Sequence, residues 1–291
     1  MNGTMNGTMH GTMTAPRRGA NVWAFVLLMV LTGAGAALNA LTFVVYATVT
    51  PASVAIGAGL MVLLTGVAWF LLSRSKLWRP AGAWPLLAVA WGAFGAFVFS
   101  VLNGEAMTTI ATATGWEAAE ASLAGAWPEE VGKTAGVALI LLAAHRIWNR
   151  PWDGLLVGML VGVGFELIEN VQYGAAGALE DPNSDMYGLG MAWLIRLLIG
   201  VGLHVLFTGI AGYGLGIAML HPDLGVGKRL TWGVGAFLAA LTLHFLWNYD
   251  FGEAAALPMM VVVYVACVAG LVACWVHARR MARKLGPVLQ M

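Results

Sequence analysis

Charged residues are scarce in this sequence. Lys, Arg, Asp and Glu make up 10% of the 291 residues, whereas 60% of the residues are hydrophobic. Soluble domains carry about 25% charged residues, so the composition excludes an ordinary soluble protein and indicates an integral membrane protein. The alternating pattern of outer-membrane strands is also missing, as is any basic patch interleaved with aromatic residues. We therefore expect transmembrane helices and no nucleic-acid partner.

Several catalytic motifs are absent as well. The chain contains neither Gly-x-Ser-x-Gly nor His-Glu-x-x-His, and no Asp lies within a predicted span. These absences exclude a nucleophile-elbow serine, a zincin helix and an aspartyl pair. Only two cysteines occur, Cys267 and Cys274, in one apolar segment. About 10 Å would separate them along a helix axis, so they cannot bond to each other and we expect buried thiols.

Long apolar segments fill most of the chain. Eight of them are near the length of about 20 residues that spans a bilayer, and they lie at 22–47, 52–72, 82–102, 122–144, 154–177, 189–219, 230–249 and 257–277. We predict an all-α, polytopic membrane domain of eight transmembrane helices over residues 21–278, with a site-bearing core at 122–249. The sixth segment is too long for one perpendicular span, so we expect it to tilt or to start in the interface.

The two ends of the chain differ from this domain. Residues 1–20 include a Met-Asn-Gly-Thr repeat and are predicted to be disordered, whereas residues 279–291 form a basic tail. Thirteen of the 15 Lys and Arg residues fall in alternate connections, and the opposite connections carry acidic residues without Lys or Arg. By the positive-inside rule, both termini are predicted to be cytoplasmic in a bacterial-type plasma membrane.

Ten side chains stand out inside the predicted spans, namely six charged residues, two histidines and two asparagines. A charged residue at mid-bilayer costs about 2.5–3.5 kcal/mol, so these groups must face one another or water. Glu129, Glu130 and Lys133 share one helix face by their spacing, and Pro128 suits the first turn of that helix. The ten residues are Glu129, Glu130, Lys133, Glu166, Glu169, Asn170, Arg196, His204, His244 and Asn248.

The depth of these groups in the membrane predicts a common layer. Counting residues from the segment ends brings most of them to a similar level in the outer half of the bilayer. His204 reaches that level only if its helix starts late, near Trp193. Gly154, Gly158 and Gly162 recur every four residues in the fifth segment, which predicts the close approach of a neighbouring helix.

The chemistry of such a layer is limited to Glu, His and Asn. A carboxylate that activates water, with His as acid or orienting group and His or Asn donors to an oxyanion, is the chemistry of peptide hydrolysis. The same residue types could hold a divalent metal. A proton-coupled transporter would also use an ionisable layer, although the sequence shows no clear repeat between its halves.

Four motifs occur in order between residues 129 and 248. They are Glu129-Glu130-x-x-Lys133, Phe165-x-x-x-Glu169-Asn170 with Tyr173, Arg196 with His204, and His244-x-x-Trp247-Asn248. In this order they resemble the PrsW family of intramembrane proteases, which are relatives of the CAAX-processing and bacteriocin-processing membrane proteases. The first three spans and the last one match only as apolar helices.

The resemblance implies an endopeptidase that cuts membrane-tethered proteins, including site-one cleavage of an anti-sigma factor in signal transduction. It implies that Glu129 or Glu130 activates water, that His204 is essential, and that His244 and Asn248 polarise the scissile carbonyl. No resident cofactor is expected. The alternative is a zinc peptidase of the same fold. We further expect Glu169 to be a catalytic group. The expected supporting groups are Lys133, Glu166, Asn170, Arg196 and Trp247. In the zinc alternative, the expected ligands are Glu130, Glu169, His204 and His244.

Two features depart from the pattern of the family. Pro128 directly precedes Glu129, and Glu166 stands where a small or apolar residue is expected. We expect Glu166 to be an added acid or the partner of Lys133 or Arg196. The CAAX-processing relatives carry His at the position of Glu169, so their mechanism maps onto this chain only in part.

Overall fold

The computed structural model describes residues 18–285, and all regular structure in this range is helical. The N-terminal repeat and residues 286–291 lie outside the described residues. The α-helices are α1 (Arg18–Val49), α2 (Pro51–Ser73), α3 (Trp84–Ala90), α4 (Phe97–Ala113), α5 (Trp127–Ala143), α6 (Asp153–Glu180), α7 (Asp185–Ile199), α8 (Leu203–Leu220), α9 (Val226–Asn248) and α10 (Glu253–Leu285).

Seven helical stretches between residues 18 and 285 are long and apolar enough to cross a membrane. These are Asn21–Val49, Pro51–Ser73, Trp84–Ala113, Asp153–Glu180, Leu203–Leu220, Val226–Asn248 and Glu253–Leu285. The predicted fourth span falls outside this group because α5 has 17 residues and carries two acids and a lysine. The all-helical membrane architecture is thus confirmed, while the count of eight and the cytoplasmic termini stay predictions.

The prediction of one long helix over 189–219 is wrong, because the chain forms α7 and α8 with a break at residues 200–202. Gly202 has a φ of +76°, a left-handed conformation that glycine adopts without steric cost. Both helices run antiparallel along α6, since Gly177 of α6 meets Gly188 of α7 and Gly162 meets His204 of α8. The break therefore starts a new helix in the middle of the fold, directly before His204.

The centre of the fold is α6, which packs against α2, α3, α5, α7 and α8. A methyl group on Gly154, Gly158 or Gly162 would overlap the backbone of α8, so the predicted close approach along this glycine stripe is confirmed. At the far end of the chain, α10 continues as a helix through the basic residues of the predicted tail to Leu285.

Two π-helical turns contact α5. One, Trp91–Gly95, lies between α3 and α4, and the other, Ser122–Ala126, leads directly into α5. The first carries the fully buried Trp91, whose indole N–H donates to the carbonyl oxygen of Gly132 at 3.0 Å. The indole fills a notch at Gly136, where a methyl group would overlap it. Trp91 thereby fixes the position of α5. Cys267 and Cys274 are both free thiols; Cys267 is buried, as expected, whereas Cys274 is only half-buried.

Candidate functional site

The first turns of α5 carry two acids and a cation that form one buried cluster. Lys133 is completely buried, with its Nζ 2.7 Å from Glu130 Oε1 and 3.3 Å from Glu129 Oε2. The same Nζ lies 4.2 Å from the centre of the Phe165 ring. Pro128 occupies the first turn of α5, as predicted. The π-helical turn Ser122–Ala126 runs directly into α5, however, so the two carboxyl groups do not lie at a free helix end.

His244 of α9 completes one side of this cluster. Its Nδ1 lies 2.9 Å from Glu130 Oε1, and its Nε2 lies 3.7 Å from Glu129 Oε2. The carboxylate of Glu130 accepts the Nδ1–H bond, which leaves the Nε2 lone pair directed toward Glu129. The imidazole also stacks on the Phe207 ring at 4.6 Å between centres, so its orientation is fixed from two directions.

His204 of α8 joins the α5 acids to a second group on α6. Its Nδ1 is 2.9 Å from Lys133 Nζ, and its Nε2 is 2.9 Å from Glu169 Oε2. An ammonium can only donate, so Nδ1 accepts from Lys133 and Nε2–H donates to Glu169. The break at Gly202 makes this possible, because it places His204 in the first turn of α8.

Arg196 of α7 closes the other side of Glu169. The two side chains form an ion pair, and Arg196 Nε also donates to Asn170 Oδ1 at 2.5 Å. The guanidinium lies over the ring of Tyr173, with 4.6 Å between its central carbon and the ring centre. Arg196 is thus paired with Glu169, one of the four acids inside the predicted spans.

Glu166 has a different place from the one that we expected. Its two oxygens accept hydrogen bonds from the backbone N–H groups of Gly202 at 2.8 Å and His204 at 3.0 Å. It forms no ion pair with Lys133 or Arg196 within 4.0 Å. The first N–H groups of a helix have no partner within the helix and attract an anion. Glu166 therefore caps α8. Of the two alternatives that we expected, the pairing with a cation is wrong, and a role as an added acid stays a prediction.

A cavity of about 590 Å³ lies against these groups. Glu129 lines it, whereas Glu130 is fully buried behind it, against Lys133 and His244. This difference separates two adjacent acids that the sequence could not distinguish. The remaining lining residues are Ala121, Ala124, Gly125, Glu169, Tyr173, Arg196, Leu203, His204, Phe207, His244, Trp247, Asn248 and Met260.

Asn248 stands at this cavity with weak attachments. Its Nδ2 is 3.5 Å from His244 Nε2 and 3.4 Å from the carbonyl oxygen of Ala121. Such long contacts are easily exchanged for a better acceptor.

The predicted layer is thus assembled from α5, α6, α7, α8 and α9. We use "polar layer" below for Glu129, Glu130, Lys133, Glu166, Glu169, Arg196, His204 and His244.

Some of the lining residues were missed by the sequence reasoning. Phe207, which stacks on His244, follows His204 by three residues and shares its helix face; that spacing was an available signal. Met260 comes from α10, which carries no polar motif, so nothing in the sequence pointed to it. Gly125 leaves space beside Asn248 and Glu129, and a glycine in an apolar run gives no such signal.

The donor atoms of Glu129, His204 and His244 lie within 4.8 Å of one another. Glu129 Oε2 is 3.7 Å from His244 Nε2 and 3.9 Å from His204 Nδ1. Ligands of a tetrahedral zinc with bonds of about 2.0–2.1 Å lie about 3.3 Å apart, and two His with one carboxylate is a catalytic zinc set. The residues therefore fit a metal, although this set contains Glu129 in place of the predicted Glu130 and Glu169. Lys133 already contacts two of these three metal-donor groups, the carboxylate of Glu129 and the imidazole of His204.

Comparison with known proteins supports the resemblance. The family model of the PrsW family intramembrane metalloprotease matches residues 80–274. The chain is 30% identical over 132 residues to Protease PrsW of Geobacillus kaustophilus, covering 45% of this chain and 52% of the relative. Protease PrsW of Oceanobacillus iheyensis is 29% identical over 113 residues, with shares of 39% and 46%.

A third relative, Protease PrsW of Halalkalibacterium halodurans, is 30% identical over 104 residues, or 36% of this chain and 41% of its own length. The chain thus spans about half the length of the curated relatives that it matches. No solved structure matches the chain significantly.

Proposed function

The chain belongs to the PrsW family of intramembrane metalloproteases, and we propose on this basis that it is an endopeptidase that hydrolyses peptide bonds of membrane-tethered proteins. The observation that carries the proposal is the cavity of the polar layer. Glu129, His204, His244 and Asn248 line it together, although they come from three helices. Site-one cleavage of an anti-sigma factor would be one case within this substrate class.

We assign the general base to Glu129. It lines the cavity and is anchored by Lys133 at 3.3 Å, so a water molecule in the cavity can reach it while its position is held. In the proposed reaction, Glu129 accepts a proton from the water that attacks the scissile carbonyl carbon. It then passes this proton to the leaving amine as the C–N bond breaks. Glu130 does not line the cavity. Its side chain contacts Lys133 and His244, and of these two only His244 is a lining residue.

The neighbouring groups have positioning roles in this proposal. Glu130 fixes the His244 imidazole through Nδ1, so that Nε2 faces Glu129 and can orient the attacking water. We assign Asn248 to the scissile carbonyl, because its loosely held amide can donate to the oxygen as negative charge develops. The two ring nitrogens of His204 form hydrogen bonds with Lys133 and Glu169. His204 therefore links α5 to α6 and fixes the position of the α5 acids relative to Glu169.

Zinc is the alternative that the family description supports. Glu129, His204 and His244 would hold it, and Glu130 would act on His244 as the outer carboxylate that orients a metal-binding imidazole. Bound there, the metal would supply Lewis-acid activation of water. The contact between Lys133 and His204 would have to open in that state, because Lys133 occupies His204 Nδ1.

The proposal is tested by peptide cleavage with purified full-length protein in lipid nanodiscs. The substrate is a single transmembrane helix with a cleavable juxtamembrane segment and a fluorophore–quencher pair. We expect Glu129→Gln to lower kcat by about 10²–10⁴-fold, the range for loss of a general base, with unchanged thermal stability. Glu105→Gln, which replaces an exposed acid of α4, is the matched control and should keep full activity. Full activity of Glu129→Gln would contradict the assignment.

A further inference from the structure

A second groove lies beside the cavity of the polar layer, between the end of α7 and the start of α10. It has a volume of about 260 Å³ and is lined by Leu198, Ile199, Leu257, Met260, Val261, Tyr264 and Val265. Apart from the Tyr264 hydroxyl, these side chains are apolar, and the groove carries no charge. Because most of its lining side chains are exposed on the outside of the helix bundle, we call it the lateral groove.

Met260 lines both the lateral groove and the cavity of the polar layer. The groove and the cavity are therefore neighbours, with the Met260 side chain between them. Met is unbranched and adapts easily to a changed neighbour. A chain that lay in the groove could thus extend one end past Met260 toward Glu129 and Asn248.

The α7–α8 break follows directly after Leu198 and Ile199 of the groove lining. Val201, in the break, offers its carbonyl oxygen to the Tyr264 hydroxyl of α10 at 3.0 Å. Gly200 and Gly202 flank Val201, and Gly202 has a positive φ. On its other side α7 packs on α6 and α2. The hydrogen bond between Tyr264 and Val201 therefore joins α10 to the α7–α8 break beside the groove.

We infer that the lateral groove receives the transmembrane segment of the substrate and directs its end into the cavity of the polar layer. This inference rests on the proposed function and names the side from which the substrate arrives. An apolar segment suits the groove, since it would replace lipid against Leu198 and Val261 without exposing polar groups. A charged residue at that level of the segment would lack any partner in the groove and would be excluded.

Crosslinking in the inactive Glu129→Gln protein tests the inference without requiring cleavage. A photo-reactive benzoylphenylalanine is placed at Val261 in the groove or, as the matched control, at Val262 on the neighbouring face of α10. The two side chains are 56% and 59% exposed, so exposure alone does not distinguish them. We expect the substrate helix to crosslink several-fold more strongly from position 261. Equal crosslinking from both positions would overturn the inference.

Blocking the groove gives a second measurement in the active protein. Val261→Trp and Leu198→Trp should each reduce cleavage of the membrane-tethered substrate by about tenfold or more, an effect comparable to overfilling a packed apolar site. Val262→Trp should cleave at the normal rate. Cleavage of the tethered substrate by Val261→Trp at the rate of Val262→Trp would count against the groove. If Glu129→Gln stayed active while position 261 crosslinked selectively, the base assignment would fail and the substrate route would stand.

Discussion

Two buried ionic clusters lie along α6, and they are built differently. At the start of α6, Asp153 is completely buried, and each of its oxygens accepts two hydrogen bonds. These bonds come from Arg79 and Arg150. In the polar layer, four carboxyl groups meet only two cations, and Glu130 Oε2 has no partner among the described residues.

This difference in charge balance distinguishes a cluster that stabilises the fold, at Asp153, from one that is suited to catalysis, the polar layer. Asp153 has its charge more than matched and its hydrogen-bonding capacity used, as expected of a group that joins the α2–α3 connection to α6. The polar layer keeps surplus carboxyl groups beside a cavity of about 590 Å³. An unneutralised charge in a bilayer is costly. Surplus carboxyl groups are therefore expected where a site must accept a proton or bind a cation.

The largest effect is expected from His244→Ala. This change removes the imidazole that orients the attacking water and leaves Glu130 with Lys133 as its remaining side-chain partner. We expect kcat to fall by about 100- to 1,000-fold, the usual loss for a positioned polar group at the reacting centre, while the protein stays folded. Cleavage kinetics in nanodiscs measure it, with His221→Ala in the α8–α9 connection as the control. A change in KM alone would argue against a role in the chemical step.

The opposite result is expected at the structural cluster. Asp153→Ala leaves two arginines without their shared acceptor, and we expect the free energy of unfolding to fall by about 2–3 kcal/mol. Loss of a fully buried pair costs about 3–5 kcal/mol, but the arginine side chains are 28% and 19% exposed, which lowers the penalty. Unfolding in denaturing detergent measures the change, and the folded fraction should keep its normal kcat. Asp185→Ala, at an exposed acid, is the control.

Lys133→Met sharpens the comparison by removing one of the two cations of the polar layer. Without the ammonium, Glu129 and His204 lose a competing partner, and a divalent ion meets less repulsion. We expect the affinity for zinc to rise by about tenfold or more, as read by competition with a chromogenic chelator. Lys76→Met, at an exposed lysine, should leave the affinity unchanged. Weaker zinc binding by Lys133→Met would contradict the shared-donor arrangement.

The smallest effect is expected from Glu166→Gln. The amide keeps one acceptor oxygen for the start of α8 but loses the charge that favours a helix N-terminus. We expect a loss of stability of about 1 kcal/mol, typical for a weakened cap, measured by thermal unfolding. Gln172→Glu provides a comparison on the same helix, away from the α8 terminus. An unchanged melting temperature in Glu166→Gln would show that the cap contributes nothing.

The polar layer itself could be predicted from the sequence, because charged groups in a bilayer must find one another. The spacing of Glu129 and Lys133, the depth of His244 and the glycine stripe of α6 all pointed to it. The distinction between Glu129 and Glu130 could not be predicted. Adjacent residues point about 100° apart on a helix, and only the neighbouring helices determine which of them meets the cavity.

The helix break at Gly202 was also hidden. Residues 189–219 are apolar apart from a few residues such as Arg196 and His204, and hydropathy does not reveal that one glycine will take a left-handed conformation. The partner of Glu166 was missed for the same reason, since the N–H groups that it binds exist only because α8 starts there. The π-helical turn that holds Trp91 against Gly132 likewise depends on tertiary packing rather than on a local signal.

Water accessibility at the two neighbouring acids tests the central claim most directly. Glu129→Cys and Glu130→Cys are prepared in a background with Cys267→Ala and Cys274→Ala, and each is treated in nanodiscs with a small, charged thiol reagent. If Glu129 faces the cavity and Glu130 lies behind it, the cysteine at position 129 will react much faster than the one at position 130. Equal rates at both positions, or faster reaction at position 130, would contradict the account.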